Sequence, residues 1–334
     1  MRKNLLKNNG FPKAVDQTKD LVRIEWSSSD SWYLKCEFKS GDIQLGFTWH
    51  QMIHLMPDGT YMNSLESVFM NATDNKWIHK NIMLPLSETA GADTDKFNVY
   101  TPYGGICGDH TGMDLKFEFE DQKIDIHCIP SGEIEHQGVT GLLDFGSMQS
   151  YEYGFVNMKV EGTVTIDDTL YEITIGHAWF DRQYGHINKK NEPPKFLPGK
   201  ASWLWLGIDN LKGGRGAASF GDIYNPGERM CFATFLHEDG TEANVEADII
   251  YDNIWTSKKT GFAYPRTIVI DVLEEDFYVT LTSLGTEDVE FVIEGENKGL
   301  SGCQCLFQVV GTYKGSPINQ VCIVETIGNI CGED

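Results

Sequence analysis

The chain has 334 residues, of which 41% are apolar, and this is enough to bury a core in each of two domains. Its formal net charge is -22 with no run of Lys and Arg, so repulsion argues against nucleic acid and anionic membranes as partners. No stretch is apolar for long enough to span a bilayer, and no apolar segment follows the basic N-terminus as a signal peptide requires. We therefore expect a cytoplasmic protein.

The cysteines and the short motifs argue against a bound metal or cofactor. Eight cysteines in a chain of this length do not form a disulfide framework. Cys303 and Cys305 are spaced to share one face of a strand, where core packing is a better interpretation than metal binding. The sequence contains no zinc-ligand spacing, P-loop or dinucleotide fingerprint. We expect no metal and no cofactor.

The first half of the chain is predicted to consist of β-hairpins. Alternating polar and apolar residues predict one hairpin from residues 31–38 and 43–52. The same alternation predicts a second hairpin from residues 115–120 and 123–128. No stretch shows a sustained helical period, so we expect strands throughout.

A further predicted hairpin leads into the most unusual segment of the sequence, residues 176–185 (GHAWFDRQYG). Residues 160–166 and 170–175 alternate as two strands around a turn, and we expect the second strand to continue into this segment. An uninterrupted strand would place seven side chains on one face: Tyr171, Ile173, Ile175, His177, Trp179, Asp181 and Gln183.

The apolar members of this set predict that its face looks inward. Asp181 would then be buried beside Trp179 and His177, while Arg182 would point to the other side of the strand. Burial without a neighbouring cation favours the protonated form of a carboxyl group. Asp181 is therefore the strongest chemical candidate in the sequence.

The second half of the chain repeats the strand pattern after a linker. Residues 189–200 contain three prolines and five charged residues, which favours an extended connection. We therefore predict a lead-in at residues 1–20, an N-terminal domain at 21–188 and a C-terminal domain at 201–334. Both domains are predicted to be antiparallel and all-β, either barrels or sandwiches.

Four segments of the chain, in the same order along it, carry a family resemblance. They are Ser31-Trp32-Tyr33, His177 to Gly185, Trp203-Leu204-Trp205, and the ending from Gly311 to Pro317 with Val321 to Thr326. These segments resemble the carotenoid 1,2-hydratase-like, or hydroxyneurosporene synthase-like, family. The resemblance implies two lipocalin-like, calycin-like antiparallel β-barrels packed side by side, with a ligand pocket lined from both. It also implies that Asp181 is the catalytic acid. This chain departs from the family pattern at Tyr184, where Trp is common.

Members of this family share a fold but differ in reaction. They include hydratases of isolated double bonds in carotenoids, a hydratase of a plant isoflavonoid, and cyclases that guide Diels–Alder reactions. The resemblance therefore constrains the fold more closely than the reaction. We expect an enzyme that needs no cofactor and acts on a hydrophobic small molecule of terpenoid, polyketide or phenolic type.

Hydration of an unactivated alkene needs an acid that protonates carbon and surroundings that stabilise the resulting carbocation. We predict Asp181 as this acid, with His177 and Tyr153 as further catalytic residues. Aromatic faces can stabilise the cation, and polar side chains can orient the acid or the water. The predicted substrate-binding residues are Trp179, Gln183, Tyr151, Trp203, Trp205, His50 and Trp49.

Each candidate also has a purely structural interpretation. Asp181 could pair with a basic side chain of another strand, and the Trp203 and Trp205 side chains could pack between sheets. Trp49 and His50 lie on opposite faces of one strand, so at most one of them faces a pocket. Cys107, in a Gly-rich stretch close to a His, is a weak nucleophile signal, and a rim loop is the better interpretation.

The sequence therefore predicts an enzyme that adds or removes water at a C=C bond, or that isomerises or cyclises its substrate by proton transfer from Asp181. Two alternatives stay open. A pericyclic cyclase would need shape and polarisation of the substrate but no acid. A lipocalin-type carrier would bind an apolar ligand without transforming it.

Overall fold

The computed structural model of the protein describes residues 12–56, 58–144, 149–186, 202–225, 228–285, 289–293, 299 and 301–332. Strands account for most of these residues, and they form two antiparallel sheets that curl into half-barrels. The helical elements within them are a single turn at Leu211–Gly214 (α1) and a 3-10 turn at Leu273–Glu275. The prediction of an all-β, lipocalin-like fold is confirmed. None of the described helices is long and apolar enough to cross a membrane.

The first sheet has 14 strands. They are β1 (Ser29–Ser40), β2 (Ile43–Leu55), β3 (Tyr61–Asn71), β4 (Lys76–Pro85), β5 (Gly91–Ala92), β6 (Phe97–Thr101), β7 (Gly104–Asp109), β8 (Gly112–Phe119), β9 (Gln122–Ile129), β10 (Ile134–His136), β11 (Leu142–Asp144), β12 (Gln149–Ile166), β13 (Thr169–Glu172) and β14 (Ile175–His186). Their order is β4-β3-β2-β1-β14-β12-β9-β8-β7-β6-β5, while β10, β11 and β13 pair with β12. The strand with the GHAWFDRQYG segment, β14, therefore lies centrally, between β1 and β12.

The second sheet has 10 strands. They are β15 (Ser202–Asn210), β16 (Gly216–Asn225), β17 (Glu228–Leu236), β18 (Glu242–Glu246), β19 (Asp248–Thr256), β20 (Ala263–Val272), β21 (Phe277–Ser283), β22 (Glu290–Phe291), β23 (Gly302–Tyr313) and β24 (Ser316–Ile327). Their order is β18-β17-β16-β15-β24-β23-β21-β20-β19, and β22 pairs with β23. Sequential strands are neighbours almost throughout, as expected for a meander.

The described residues divide into two compact units. The N-terminal unit is drawn from residues 10–69 and 78–194, and the C-terminal unit from residues 70–77 and 195–334. The predicted linker at 189–200 lies outside the described residues, so the predicted domain boundary stays a prediction.

The hairpins that we predicted from alternation are present, and one predicted loop is a strand. β1 pairs with β2 over the whole predicted range, and β8 pairs with β9. The stretch around Cys107, which we expected to be a rim loop, instead forms β7 between β6 and β8. Its glycines fit this strand closely, because a Cβ at Gly105 would collide with the carbonyl oxygen of Val99.

The hairpin before β14 ends differently from our prediction. β13 pairs with the far end of β12, whereas β14 pairs with the first part of β12 and with β1. The chain steps from one pairing to the other at residues 173–174, so the pleat is interrupted there. Tyr171 lies in the apolar core with Ile173 packed against it, while Ile175 is 73% exposed. Tyr171 and Ile173 therefore do not extend the face of Asp181, and the prediction of one continuous face is wrong for these two. Ile175 begins β14 and shares that face with His177, at its exposed end.

The apolar core of the N-terminal unit is built from one face of its strands. β1 contributes Trp32, Leu34, Cys36 and Phe38 to this core, and β14 contributes Ala178, Phe180 and Tyr184. The other face of β1 carries polar side chains that are also buried: Ser31, Lys35 and Glu37, with Tyr33 among them. The centre of the sheet is therefore buried on both faces, one apolar and one polar.

Arg182 ties the segment before β1 to the core side of the sheet. Its guanidinium is fully buried and forms an ion pair of 2.6 Å with Asp30. It also donates to the backbone carbonyls of Asp20, Val22, Ser31 and Gln183 and lies over the Trp32 ring. Partners on nearly every donor make this buried charge tolerable. Arg182 thus points away from Asp181, as the alternation of the strand predicts.

We expect Arg182→Met to lower the free energy of unfolding by about 3–5 kcal/mol, because Asp30 would stay buried without its cation. Lys96→Met is the control, since Lys96 is exposed and pairs with Asp93 at 3.5 Å. Its loss should stay below about 1 kcal/mol. Urea unfolding measures both variants, and equal losses would contradict the anchoring role of Arg182.

Candidate functional site

The site is built around β14, whose alternate residues His177, Trp179, Asp181 and Gln183 lie on the side of the sheet opposite the apolar core. The antiparallel register aligns Asp181 with Tyr33 on β1 and with Gly154 on β12. The same register aligns Gln183 with Glu152, and Tyr33 with His50 on β2. We call this surface the polar face; it consists of Ser31, Tyr33, Lys35, Glu37, His50, Glu152, Gly154, His177, Trp179, Asp181 and Gln183.

Asp181 is a buried carboxyl group whose charged form is poorly stabilised. The residue is 5% exposed, and the indole N–H of Trp179 donates to its Oδ1 at 2.6 Å. Burial is the main cause that raises the pKa of Asp181 well above its ordinary value, and the charge of Glu152 adds to this effect. The Trp179 hydrogen bond and the charge of Lys35 act in the opposite direction but are weaker. These surroundings therefore favour the protonated form of Asp181.

Two other carboxyl groups near Asp181 are engaged by amides. Gln183 Nε2 donates to Glu152 at 2.8 Å, and Gln137 Nε2 donates to Glu135 at 3.1 Å. Both Glu152 and Glu135 raise the pKa of Asp181 through their charge. Because like charges repel, three neighbouring carboxyl groups are not all ionised easily, and the pKa of at least one of them is raised. Asp181, which lies between an indole and a glycine, is the member whose pKa this proximity raises.

Gly154 makes room for the Asp181 carboxyl. A Cβ at this position would lie 2.7 Å from Asp181 Oδ1 and 2.7 Å from Trp179 Nε1. Such distances are shorter than real Cβ contacts, so a side chain at Gly154 would displace the carboxyl or the indole. Glycine at this position of β12 is therefore a requirement of the site.

Lys35, Glu37 and His177 form a second charged cluster on the polar face, next to the one around Asp181. Lys35 Nζ and Glu37 Oε1 form an ion pair of 2.6 Å, with both side chains 1% exposed. His177 Nε2 lies 3.6 Å from Glu37 Oε2, and Lys35 Nζ lies 5.7 Å from the centre of the Trp179 ring. His177, predicted as a catalytic residue, thus lies beside Glu37 at the end of the polar face.

His50 and its neighbours form the third part of the polar face. His50 Nε2 lies 2.7 Å from the hydroxyl of Ser31. The Tyr33 and His50 rings meet edge to face, with their centres 5.2 Å apart. His50 is half-buried.

Three predicted site residues lie on the wrong side of the sheet. Tyr153 is aligned with Arg182, and Tyr151 is aligned with Tyr184, against which it stacks. Trp49 is fully buried in the apolar core, opposite His50. Tyr153, predicted as catalytic, and Tyr151, predicted as substrate-binding, therefore do not share the face of Asp181. The reason is the register of β12, which brings Gly154 and not Tyr153 beside the carboxyl.

Trp203 and Trp205 belong to the C-terminal unit. Leu204 and Leu206 between and after them face that unit's apolar core. The two Trp side chains are half-buried on the opposite face, and Trp203 Nε1 donates to Glu325 at 2.8 Å. The two side chains are therefore not part of the apolar core of this unit, which was the structural alternative for them. Their role as substrate-binding residues stays a prediction.

Several residues of the polar face were missed in the sequence analysis. The alternation of β1 contains a signal for them, because Ser31, Lys35 and Glu37 follow one another at every second position with Tyr33 between. Nothing in that pattern shows that the polar side is buried. Glu135 and Glu152 lie in other parts of the chain, and the pairing of β10 and β12 brings them together.

Within the described ranges, no group of three His, Cys, Asp or Glu side chains is arranged to hold a metal ion. Five of the cysteines are buried, and Cys303 and Cys305 are among them, in the apolar core as predicted, whereas Cys231 is only half-buried.

Comparisons with known proteins agree with this architecture. The model of the AttH-like family matches residues 8–292. An AttH from Nitrosomonas europaea has 18% sequence identity and a TM-score of 0.78, over 95% of this chain and 98% of its own. Kievitone hydratase from Nectria haematococca has 17% identity and a TM-score of 0.77, over 98% and 96%.

A more distant structure shares the fold as well. CghA with Sch210972 has 11% identity and a TM-score of 0.52, over 96% of this chain and 95% of that one. At such identities the similarity shows the fold and not the reaction. Among curated proteins the sequence comparison finds no match.

We expect Gly154→Ala to lower the free energy of unfolding by about 1–3 kcal/mol and to break the Trp179–Asp181 hydrogen bond, because the new methyl group would overlap both partners. The control is Gly112→Ala, whose Cβ would meet only the movable end of His127, at 3.2 Å. Urea unfolding and the NMR signal of the Trp179 indole N–H measure the two effects. An unchanged indole signal with full stability would show that Gly154 is not required.

Proposed function

Because the chain belongs to the AttH-like family and carries on its polar face a buried carboxyl with a raised pKa, we propose that the protein is an enzyme that transfers a proton from Asp181 to carbon. The substrate is a hydrophobic molecule with a C=C bond, of terpenoid, polyketide or phenolic type. The outcome is gain or loss of water, or isomerisation or ring closure through the same cation. The burial of Asp181 beside two further carboxyl groups carries the proposal.

The surroundings of Asp181 suit both the protonation of carbon and the stabilisation of the carbocation that results. A carboxyl group that stays protonated at neutral pH can act as a general acid. The indole of Trp179 adjoins it, and Tyr33 is its register partner on β1; the faces of such rings can stabilise a carbocation. Trp179 also fixes the direction of the carboxyl by its hydrogen bond to Oδ1. When the proton leaves, the same indole N–H stabilises the carboxylate.

The family and the shared fold support this class of reaction. The chain resembles the carotenoid 1,2-hydratase-like family, and one of its structural relatives is named a hydratase. Asp181 lies in the segment that carries most of that resemblance. The proposal that the residue is the acid rests on its burial and raised pKa in this chain.

The test is turnover of kievitone and of a panel of phenolic, terpenoid and polyene compounds in D2O containing H2(18)O. We expect the wild type to place deuterium on carbon, with (18)O as well if water is added. Asp181→Asn should lose at least about 10²-fold in rate, because the amide keeps the Trp179 contact but supplies no proton. Asp114→Asn is the control, since Asp114 is half-exposed and pairs with His127 on β9.

Two outcomes would contradict the proposal. An unlabelled product formed equally by the wild type and Asp181→Asn would indicate a pericyclic cyclase that works by shape. Compounds bound but recovered unchanged from both proteins would indicate a carrier.

A further inference from the structure

His50 is a second group on the polar face with the geometry of a proton acceptor. It projects from β2 on the same side as Asp181, and Tyr33 lies between the two in the register. His54, four residues further along the same strand, lies near Ser29 at 3.5 Å and is not aligned with Asp181. His50 is therefore the histidine of β2 in line with the acid.

The contacts of His50 leave one ring nitrogen available. Nε2 lies 2.7 Å from the Ser31 hydroxyl, whereas no group within the described residues hydrogen-bonds Nδ1. If Nε2 carries the hydrogen and donates to Ser31, then Nδ1 has a lone pair that can accept a proton. The edge of the Tyr33 ring fixes the plane of the imidazole.

The spacing between Asp181 and His50 fits a double bond and a water molecule. The two residues stand two strands apart, which corresponds to about 10 Å between their backbones. In inverting glycosidases, the carboxyl groups of the acid and the base, with the water between them, are about 6.5–9.5 Å apart, which side chains on one face of strands about 10 Å apart can match. A substrate lying over Tyr33 would meet the acid at one carbon and the water at the other.

We propose that His50 is the base that accepts a proton from the attacking water, in the reaction that we propose for Asp181. The Asp181 proton forms a C–H bond with the electron pair of the double bond, and the other carbon becomes cationic. The oxygen of water then forms a C–O bond, and one water proton passes to His50 Nδ1. Solvent returns a proton from His50 to Asp181, so the net change is the addition of one water.

The electrostatics around His50 are compatible with this role. Burial lowers the pKa of His50 to about 4, so the imidazole is neutral at pH 7; the charge of Glu66 acts in the opposite direction. The Tyr33 ring on β1 meets His50 edge to face, and His54 lies on the same strand. Asp181 is on the same face but two strands away, and His79 on β4 lies 3.6 Å from Glu66. A weak base suffices, because an oxygen that has just bonded to a carbocation is strongly acidic.

The experiment compares His50→Gln, His54→Gln and Asp181→Asn with the same compounds in D2O and H2(18)O. We expect His50→Gln to lose at least about 10²-fold in (18)O incorporation, while deuterium still exchanges onto substrate carbon through Asp181. His54→Gln should behave like the wild type, and Asp181→Asn should lose both labels. The acid limb of the pH profile, near the pKa of about 4, should disappear in His50→Gln.

The experiment distinguishes a failure of the acid role of Asp181 from a failure of the base role of His50. Wild-type (18)O incorporation in His50→Gln would overturn the base role, while inactivity of Asp181→Asn would leave the acid role intact. Activity of Asp181→Asn would overturn the acid role. Nitrogen NMR of His50 gives a test without substrate: we expect a neutral ring with hydrogen on Nε2 at pH 7, shifting to a mixture of tautomers in Ser31→Ala. Hydrogen on Nδ1 in the wild type would overturn the base role.

Discussion

The structure of the N-terminal unit depends on one strand, β14, that is buried on both of its faces. Alternation along this strand sends Arg182 to one side and Asp181 to the other. The two charges that are neighbours in sequence are therefore kept apart by the sheet itself. Without this separation Arg182 would pair with Asp181, lower its pKa, and remove the proton that the proposed reaction needs.

Two buried carboxyl groups, Asp181 on β14 and Asp30 on the neighbouring β1, show what this separation achieves. Asp30 has a guanidinium at 2.6 Å and contributes to the anchoring of the N-terminal segment. Asp181 has an indole N–H at 2.6 Å, with the charges of Glu152 and Glu135 close by. Burial raises the pKa of both carboxyl groups; the charge of Arg182 opposes this rise at Asp30, whereas the charge of Glu152 adds to it at Asp181. Groups with pKa values shifted by burial and by like charges are typical of functional sites, since stability alone does not require them.

From the sequence one can predict the strands and the side of the sheet to which each side chain of a strand points. The hairpins of β1 with β2 and of β8 with β9, and the opposite directions of Asp181 and Arg182, all follow from a period of two. The positions of Tyr151, Tyr153 and Glu152 relative to Asp181 do not, because they depend on the register between β12 and β14. A shift of one residue would reverse them. The break at residues 173–174 likewise arises from pairing with distant parts of β12.

The central claim is that Asp181 is protonated at neutral pH, and a carboxyl-carbon NMR titration tests it most directly. Protein labelled with (13)C at aspartate carboxyl groups would be titrated, with Asp181→Asn identifying the resonance. We predict that the Asp181 signal stays at the position of a protonated carboxyl through pH 7, because burial and the neighbouring carboxylates disfavour its charge. A signal that moves to the carboxylate position near the ordinary pKa of aspartate would contradict the account.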